Sequence, residues 1–189
     1  MRQLAARAAE GLDLQVSINV SAAKLEEGDF AARVQLHLLK HRLRSDMIEL
    51  EVKESAVMEN GGRALCGLRA LDAAGVPLAI DGFGTGYSSL AYLQRLPAKV
   101  VKIDRSFIRD LGENQSEQTL VRSMITLSHD LGDRVVAEGV ETAAAATILA
   151  GMGCEEAQGY HFARPLEATA FQERPAASRS SPGWTGRAA

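Results

Sequence analysis

The sequence predicts an α/β fold, an incomplete (β/α)8 barrel of the TIM type with about six of its eight β/α units. Three observations carry this expectation. Short β-branched runs alternate with longer segments whose apolar residues recur at threes and fours, the pattern of parallel strands joined by helices. Each strand candidate ends in a polar residue suited to metal or phosphate chemistry, and these residues are spaced by the lengths of β/α units. The 189 residues fall short of the roughly 250 of a full barrel, so two units are expected to be missing, ahead of Leu14.

Strand candidates lie at 14–20, 47–52, 77–80, 99–103, 134–137 and 154–158. Helices are expected over 30–41, 63–74, 117–131 and 142–150. The first residues, Met1 to Arg7, also read as helix and carry no apolar run of the signal-peptide kind. Gly11, Gly75, Gly132 and either Gly151 or Gly153 stand where left-handed helix caps are expected. From about Glu173 the sequence has little to bury. The expected organisation is therefore a barrel domain at 1–172 followed by a disordered tail at 173–189.

Composition narrows the class. Hydrophobic residues make up 46 %, charged residues 24 %, and the net charge is -3, the balance of an ordinary soluble globular protein. No apolar run reaches the ~18 residues of a membrane span, and a cytoplasmic location is expected. No basic stripe offers to neutralise a phosphate backbone, so nucleic acid is not an expected partner. Cys66 and Cys154 are far apart, form no metal-ligand spacing, and read as buried free thiols of a reducing compartment. An anionic ligand on this mildly acidic chain would need local cations, which points toward metals.

The strand ends hold Asn19, Glu51, Asp81, Lys102 with Asp104, Glu138 and Gln158, at intervals of 32, 30, 21, 36 and 20 residues. In a (β/α)8 barrel the C-terminal strand ends converge on one mouth. A doubly wound open sheet would gather two or three of them at its switch point. All six strand ends are therefore expected on one face. Hard divalent cations take oxygen ligands, and Glu51, Asp81, Glu138 and Asp104 with the amide oxygen of Asn19 supply that type. Two such cations can clamp the attacking and leaving oxygens of a phosphodiester. Lys102 suits orienting or deprotonating a water, or stabilising charge on phosphoryl oxygens. Taken singly, a strand-end Asp or Glu reads as a helix N-cap or a surface ion-pair partner. Five in phase are hard to explain by capping. A Schiff-base role for Lys102 is disfavoured, because a ring of carboxylates would hold it protonated.

The most distinctive stretch is Asp81-Gly82-Phe83-Gly84-Thr85-Gly86-Tyr87. Its alternate glycines permit a sharp turn beside a ligand, although a tight β/α loop is the plain alternative. It is not the dinucleotide-binding fingerprint, whose last glycine comes one residue later. With its neighbours it resembles a known family. Ser17-Ile18-Asn19-Val20-Ser21 is similar to an Asn-x-Ser strand, and Leu50-Glu51-Val52-Lys53-Glu54-Ser55 to a Glu-x-Thr-Glu motif. Asp81 through Leu90 is similar to an Asp-Asp-Phe-Gly-Thr-Gly loop. Lys102-Ile103-Asp104, Ala137-Glu138-Gly139-Val140-Glu141 and Gln158-Gly159-Tyr160 follow in the same order. Together, over about Gln3 to Phe171, they resemble the EAL domain of cyclic-di-GMP phosphodiesterases.

The resemblance implies roles. Asn19, Glu51, Asp81 and Glu138 would bind Mg²⁺ or Mn²⁺, and Asp104 would support a second ion. Lys102 would contact the catalytic water, Glu54 would anchor the glycine loop, Glu141 would orient its neighbours, and Gln158 would reach the metal-site water or the substrate. The reaction would be hydrolysis of cyclic di-GMP to pGpG. Two departures count against full activity. No Glu-Ala-Leu tripeptide occurs in the sequence, and Gly82 stands where the loop's second Asp is usual. Lys53 in place of Thr is a milder change. A catalytically inactive EAL-type binding or regulatory module is the alternative. Open edges at the strands of Asn19 and Gln158, with Val16, Ile18 and Phe162 partly exposed, would favour self-association or a homodimer.

Overall fold

The computed structural model describes residues 1–59, 61–86, 93–167 and 187–188. Its contacts divide the chain into two compact units, 1–82 with 86–100, and 83–85 with 101–189.

The first unit opens with α1 (Arg2–Ala9), β1 (Val16–Val20), α2 (Ala22–Leu25) and α3 (Phe30–His41). It continues through β2 (Ile48–Lys53), α4 (Glu54–Glu59), α5 (Gly61–Ala73) and β3 (Leu78–Phe83). The three strands are parallel and neighbours in chain order, with Ile18 beside Leu50 and Leu50 beside Leu78. Alternation assigns the faces of β2. Ile48, Leu50 and Val52 are at most 2 % exposed and form one apolar face. Glu49, Glu51 and Lys53 form the other. On α5, Ala64, Leu65, Leu68 and Leu71 are buried. Helix α3 stops without glycine: Arg42 adopts a left-handed φ of 54°, and the Leu43 amide donates to the Leu38 carbonyl at 3.0 Å.

The second unit contains β4 (Val100–Ile103), α6 (Arg105–Ile108), α7 (Gln115–Asp130), β5 (Arg134–Ala137), α8 (Ala143–Gly151) and β6 (Glu156–Ala157). Strands β5 and β6 are parallel. The Asn114 side chain caps α7 by accepting from the Ser116 and Glu117 amides, and Thr142 caps α8 by accepting from Ala145. Helix α7 buries Val121, Met124, Ile125 and Ser128, and the buried Ser128 hydroxyl is satisfied by donating to the Met124 carbonyl at 2.9 Å.

The expected elements are present with shifted ends. Strand β3 runs past Ile80 through Asp81 to Phe83, because Lys53 and Asp81 still pair in register. Strand β6 shrinks to two residues. Gly11, Gly75, Gly132 and Gly153 have positive φ, whereas Gly151 closes α8 as helix. Val16 is 40 % exposed, with Ile18 and Phe162 half-buried. Two residues of the expected tail, Arg187–Ala188, form β7, parallel to β6 and covering the edge expected to be open there. Tyr87 to Leu90 of the glycine loop and the stretch 168–186 lie outside the described residues.

The cysteines correct one expectation. Cys154 is buried, but Cys66 is exposed, since α5 turns Ala64, Leu65 and Leu68 inward and leaves Cys66 on its outer side. Burial pushes the Cys154 thiol up to about 12. Cys66 should react with a thiol reagent at once, and Cys154 only on unfolding. Because the folded state resists ionising Cys154, its stability should be intact below pH ~9 and fall as pH rises toward 12. Thermal melts of wild type and Cys154→Ala across that window check this; the variant should lose less.

Candidate active site

In the first unit the register assembles a polar face at the C-terminal strand ends. Asn19 pairs with Glu51 across β1 and β2, and Lys53 pairs with Asp81 across β2 and β3. Side chains in register on parallel strands point the same way, and Glu51 and Lys53 are two residues apart on one strand. Asn19, Glu51, Lys53 and Asp81 therefore share one face. Glu51 is 5 % exposed, Asp81 is half-buried, and Asn19 and Lys53 are open to solvent. Glu54, the first residue of α4, is also 5 % exposed. A Cβ built on Gly86 would lie 3.9 Å from its carboxyl carbon, so the buried carboxylate sits directly beside the glycine loop. Gly82 follows Asp81 with φ +76°, a backbone state that side chains rarely adopt.

A second layer lies beneath this one. Glu49 is two residues before Glu51 on the same face, 6 % exposed, and accepts from the Ser17 hydroxyl at 3.2 Å. Sequence reasoning restricted to strand ends passes over it. The signal was available, as charged residues at 49, 51 and 53 are a period-two run on a strand whose other face is apolar.

In the second unit three expected residues meet directly. The Lys102 ammonium, 4 % exposed on β4, lies 2.6 Å from Glu138 Oε1. Gln158 Nε2 donates to the same oxygen at 2.6 Å. The backbone sets this up: the Glu138 amide donates to the Ile103 carbonyl, and the Gln158 amide to that of Ala137. A buried ammonium is costly to hold without such a carboxylate. The loops that carry Glu138 and Gln158 are bound together through Val140, whose amide donates to the Gln158 carbonyl at 3.0 Å. Asp104 accepts from the Ser106 amide at 2.8 Å and caps α6, the structural role weighed for it. Glu141 is exposed and makes no hydrogen bond or ion pair among the described residues.

Among the described residues, no group of three or more His, Cys, Asp and Glu side chains gathers as a metal cage. Magnesium-type sites need less, typically one or two carboxylates completed by waters and substrate phosphate. Glu51 and Asp81 with the amide oxygen of Asn19 fit that donor chemistry. Among the same residues, no helix is long and apolar enough to cross a membrane.

Parallel strands alternating with helices, with polar side chains at their C-terminal ends in each unit, define an α/β protein of the class that carries its functional residues at those ends. The chain belongs to the EAL domain family, whose model matches residues 1–165. It is 40 % identical over 156 residues to the bifunctional diguanylate cyclase/cyclic di-GMP phosphodiesterase MucR of Pseudomonas aeruginosa, covering 82 % of this chain and 23 % of MucR. It is 35 % identical over 172 residues to the cyclic di-GMP phosphodiesterase PdeR of Escherichia coli, covering 91 % of this chain and 26 % of PdeR. The chain thus spans about a quarter of the length of these relatives. Among solved structures it is similar to the MucR phosphodiesterase in complex with c-di-GMP, at TM-score 0.84 and 38 % identity, over 90 % of this chain and 69 % of the other. The EAL domain of Mycobacterium smegmatis DcpA matches at TM-score 0.85 and 36 % identity, over 90 % and 78 %. The fold class is that of these domains, the TIM-type α/β barrel.

Proposed function

We propose that the chain is a cyclic-di-GMP phosphodiesterase domain that hydrolyses one phosphodiester to give linear pGpG, with low turnover. The observation that carries this reading is the in-register placement of Asn19, Glu51 and Asp81 on one sheet face, in a family whose named relatives act on cyclic di-GMP. In the first unit Asn19, Glu51 and Asp81 would hold Mg²⁺ or Mn²⁺. In the second, Glu138 and Asp104 are the carboxylates that the resemblance assigns to metal. A bound divalent cation would supply charge neutralisation on the phosphoryl oxygens and a more acidic water. In the reaction the water oxygen bonds to phosphorus and gives up a proton, the bond to one sugar oxygen breaks, and that oxygen takes up a proton to become a hydroxyl.

The residues of the chain do the positioning. Lys102 presents a buried ammonium toward developing negative charge, where one oriented donor is worth a large rate factor. Glu138 holds that ammonium, and Gln158 holds Glu138. Glu54 steadies the loop at Gly86 from beneath. Glu141 stands nearby in sequence as a supporting residue. Two thiols free of disulfide pairing suit a cytoplasmic setting.

Gly82 is the reason to expect low turnover, since it offers no carboxylate where the family loop has a second Asp. The same feature favours a second reading, a binding or regulatory module that keeps the site but not the reaction. Purified chain, cyclic di-GMP and Mg²⁺ or Mn²⁺, followed by chromatography for pGpG, separates the two. We expect product well below an ordinary turnover of ~1 s⁻¹. Gly82→Asp should raise the rate, and Gly82→Asn, with the same tolerance for left-handed φ but no charge, should not. No product from wild type and Gly82→Asp alike would favour the binding module.

A further inference from the structure

We infer that Lys53 is a phosphate-binding residue of this site, holding the cyclic dinucleotide through an ammonium in register with Asp81. The inference rests on the proposed ligand and adds a residue that the motif resemblance leaves without a role. Four observations converge on it. Lys53 ends β2, whose other five residues are all buried, so the strand delivers this one side chain to solvent at its C-terminal end. Its register partner is Asp81, and it shares a face with Asn19 and Glu51. Neither the Lys53 nor the Asp81 side chain has a hydrogen-bond or ion-pair partner among the described residues, so the ammonium is not committed to a structural contact. Gly82 beside Asp81 carries no side chain.

Charge explains why a lysine suits this position. The face presents the carboxylates of Glu51 and Asp81, which would repel a phosphodiester. A lysine among them supplies a fixed cation with three donors on a flexible stem. An exposed lysine is ordinarily no more than a solvated charge. This one is set apart by its register with a candidate metal ligand at the open end of the strands. It can reach a phosphate held over Asp81 without unfolding any contact.

The test uses the full 189-residue chain. Calorimetric titration with cyclic di-GMP in Ca²⁺ compares wild type with Lys53→Met, Lys53→Thr and Lys53→Arg. Loss of a charge-assisted hydrogen bond should weaken binding about tenfold or more in the Met and Thr variants. Lys53→Arg, which keeps the charge, should stay within about threefold. Mn²⁺ binding without nucleotide, followed by electron paramagnetic resonance, should be no weaker in Lys53→Met than in wild type, since the variant removes a like charge. Wild-type binding with an unaffected Lys53→Met overturns the inference and leaves the functional reading intact. Parallel loss of Mn²⁺ and nucleotide binding in Lys53→Met would make the residue structural and also overturns it. No binding of cyclic di-GMP by wild type overturns the functional reading, and the inference with it.

Discussion

Replacing Glu51 by alanine is expected to lower pGpG formation at least ~10²-fold, the scale seen when one oriented electrostatic group is removed from an active site. Glu51 is central to the first unit's polar face, flanked in register by Asn19 and followed on its own strand by Lys53. It is also almost fully buried, so no neighbouring water network replaces its carboxylate cheaply. Its loss should weaken Mn²⁺ binding as well as turnover, and Glu51→Gln should fail similarly, since the amide keeps shape but not charge. Circular dichroism should remain native for Glu51→Gln. A Glu51→Gln variant with wild-type turnover would remove Glu51 from the reaction.

The second large effect is on stability. Gly159→Ala is expected to destabilise the chain by about 3 kcal/mol, at the upper end of the usual cost of overpacking. For a chain of this size that is a fall of roughly 6–12 °C in melting temperature. A Cβ at Gly159 would lie 2.2 Å from the Val140 carbonyl oxygen and 2.4 Å from its amide nitrogen. These are backbone atoms, already bonded to Gln158 and His161, and no side-chain rotation relieves the clash. The displaced loop carries Gln158, so activity should fall too. Gly151→Ala, at a site with nothing within 4 Å, is the matched control and should be near neutral. A melting temperature unchanged in Gly159→Ala would mean that the 158–163 turn is held less tightly than its hydrogen bonds indicate.

The sequence was most legible where a pattern repeats. Strands of alternating or continuous Val, Ile and Leu were locatable because a parallel sheet buries both its faces, and β2 with five buried residues is the clearest case. Helix ends were legible through glycine and caps, with errors of one or two residues where frayed turns blur them. The shared face of Asn19, Glu51 and Asp81 was recoverable because strand ends keep phase. The contacts of Lys102, Glu138 and Gln158 were not, since residues 36 and 20 apart meet only through the loop conformations that Gly139 and Gly159 permit. Asp104 carries both readings at once, because an N-cap and a metal ligand ask for the same carboxylate at the same strand end. Glu49 was legible only as part of the charged run 49, 51 and 53, whereas its bond from Ser17 joins residues on different strands. Cys66 was misplaced because its neighbours Ala64, Leu65 and Leu68 decide which side of α5 it takes.

The paired donors on Glu138 have a consequence for the thermodynamics of ligand capture. A glutamate side chain in water samples many rotamers, and immobilising one on binding costs roughly 0.5–1.5 kcal/mol of entropy. Here Lys102 and Gln158 fix the carboxylate from one oxygen before any ligand arrives. That loss is taken during folding, so capture by Glu138 should carry little further entropic penalty. Side-chain relaxation at Glu138 should accordingly change little when a ligand binds beside it.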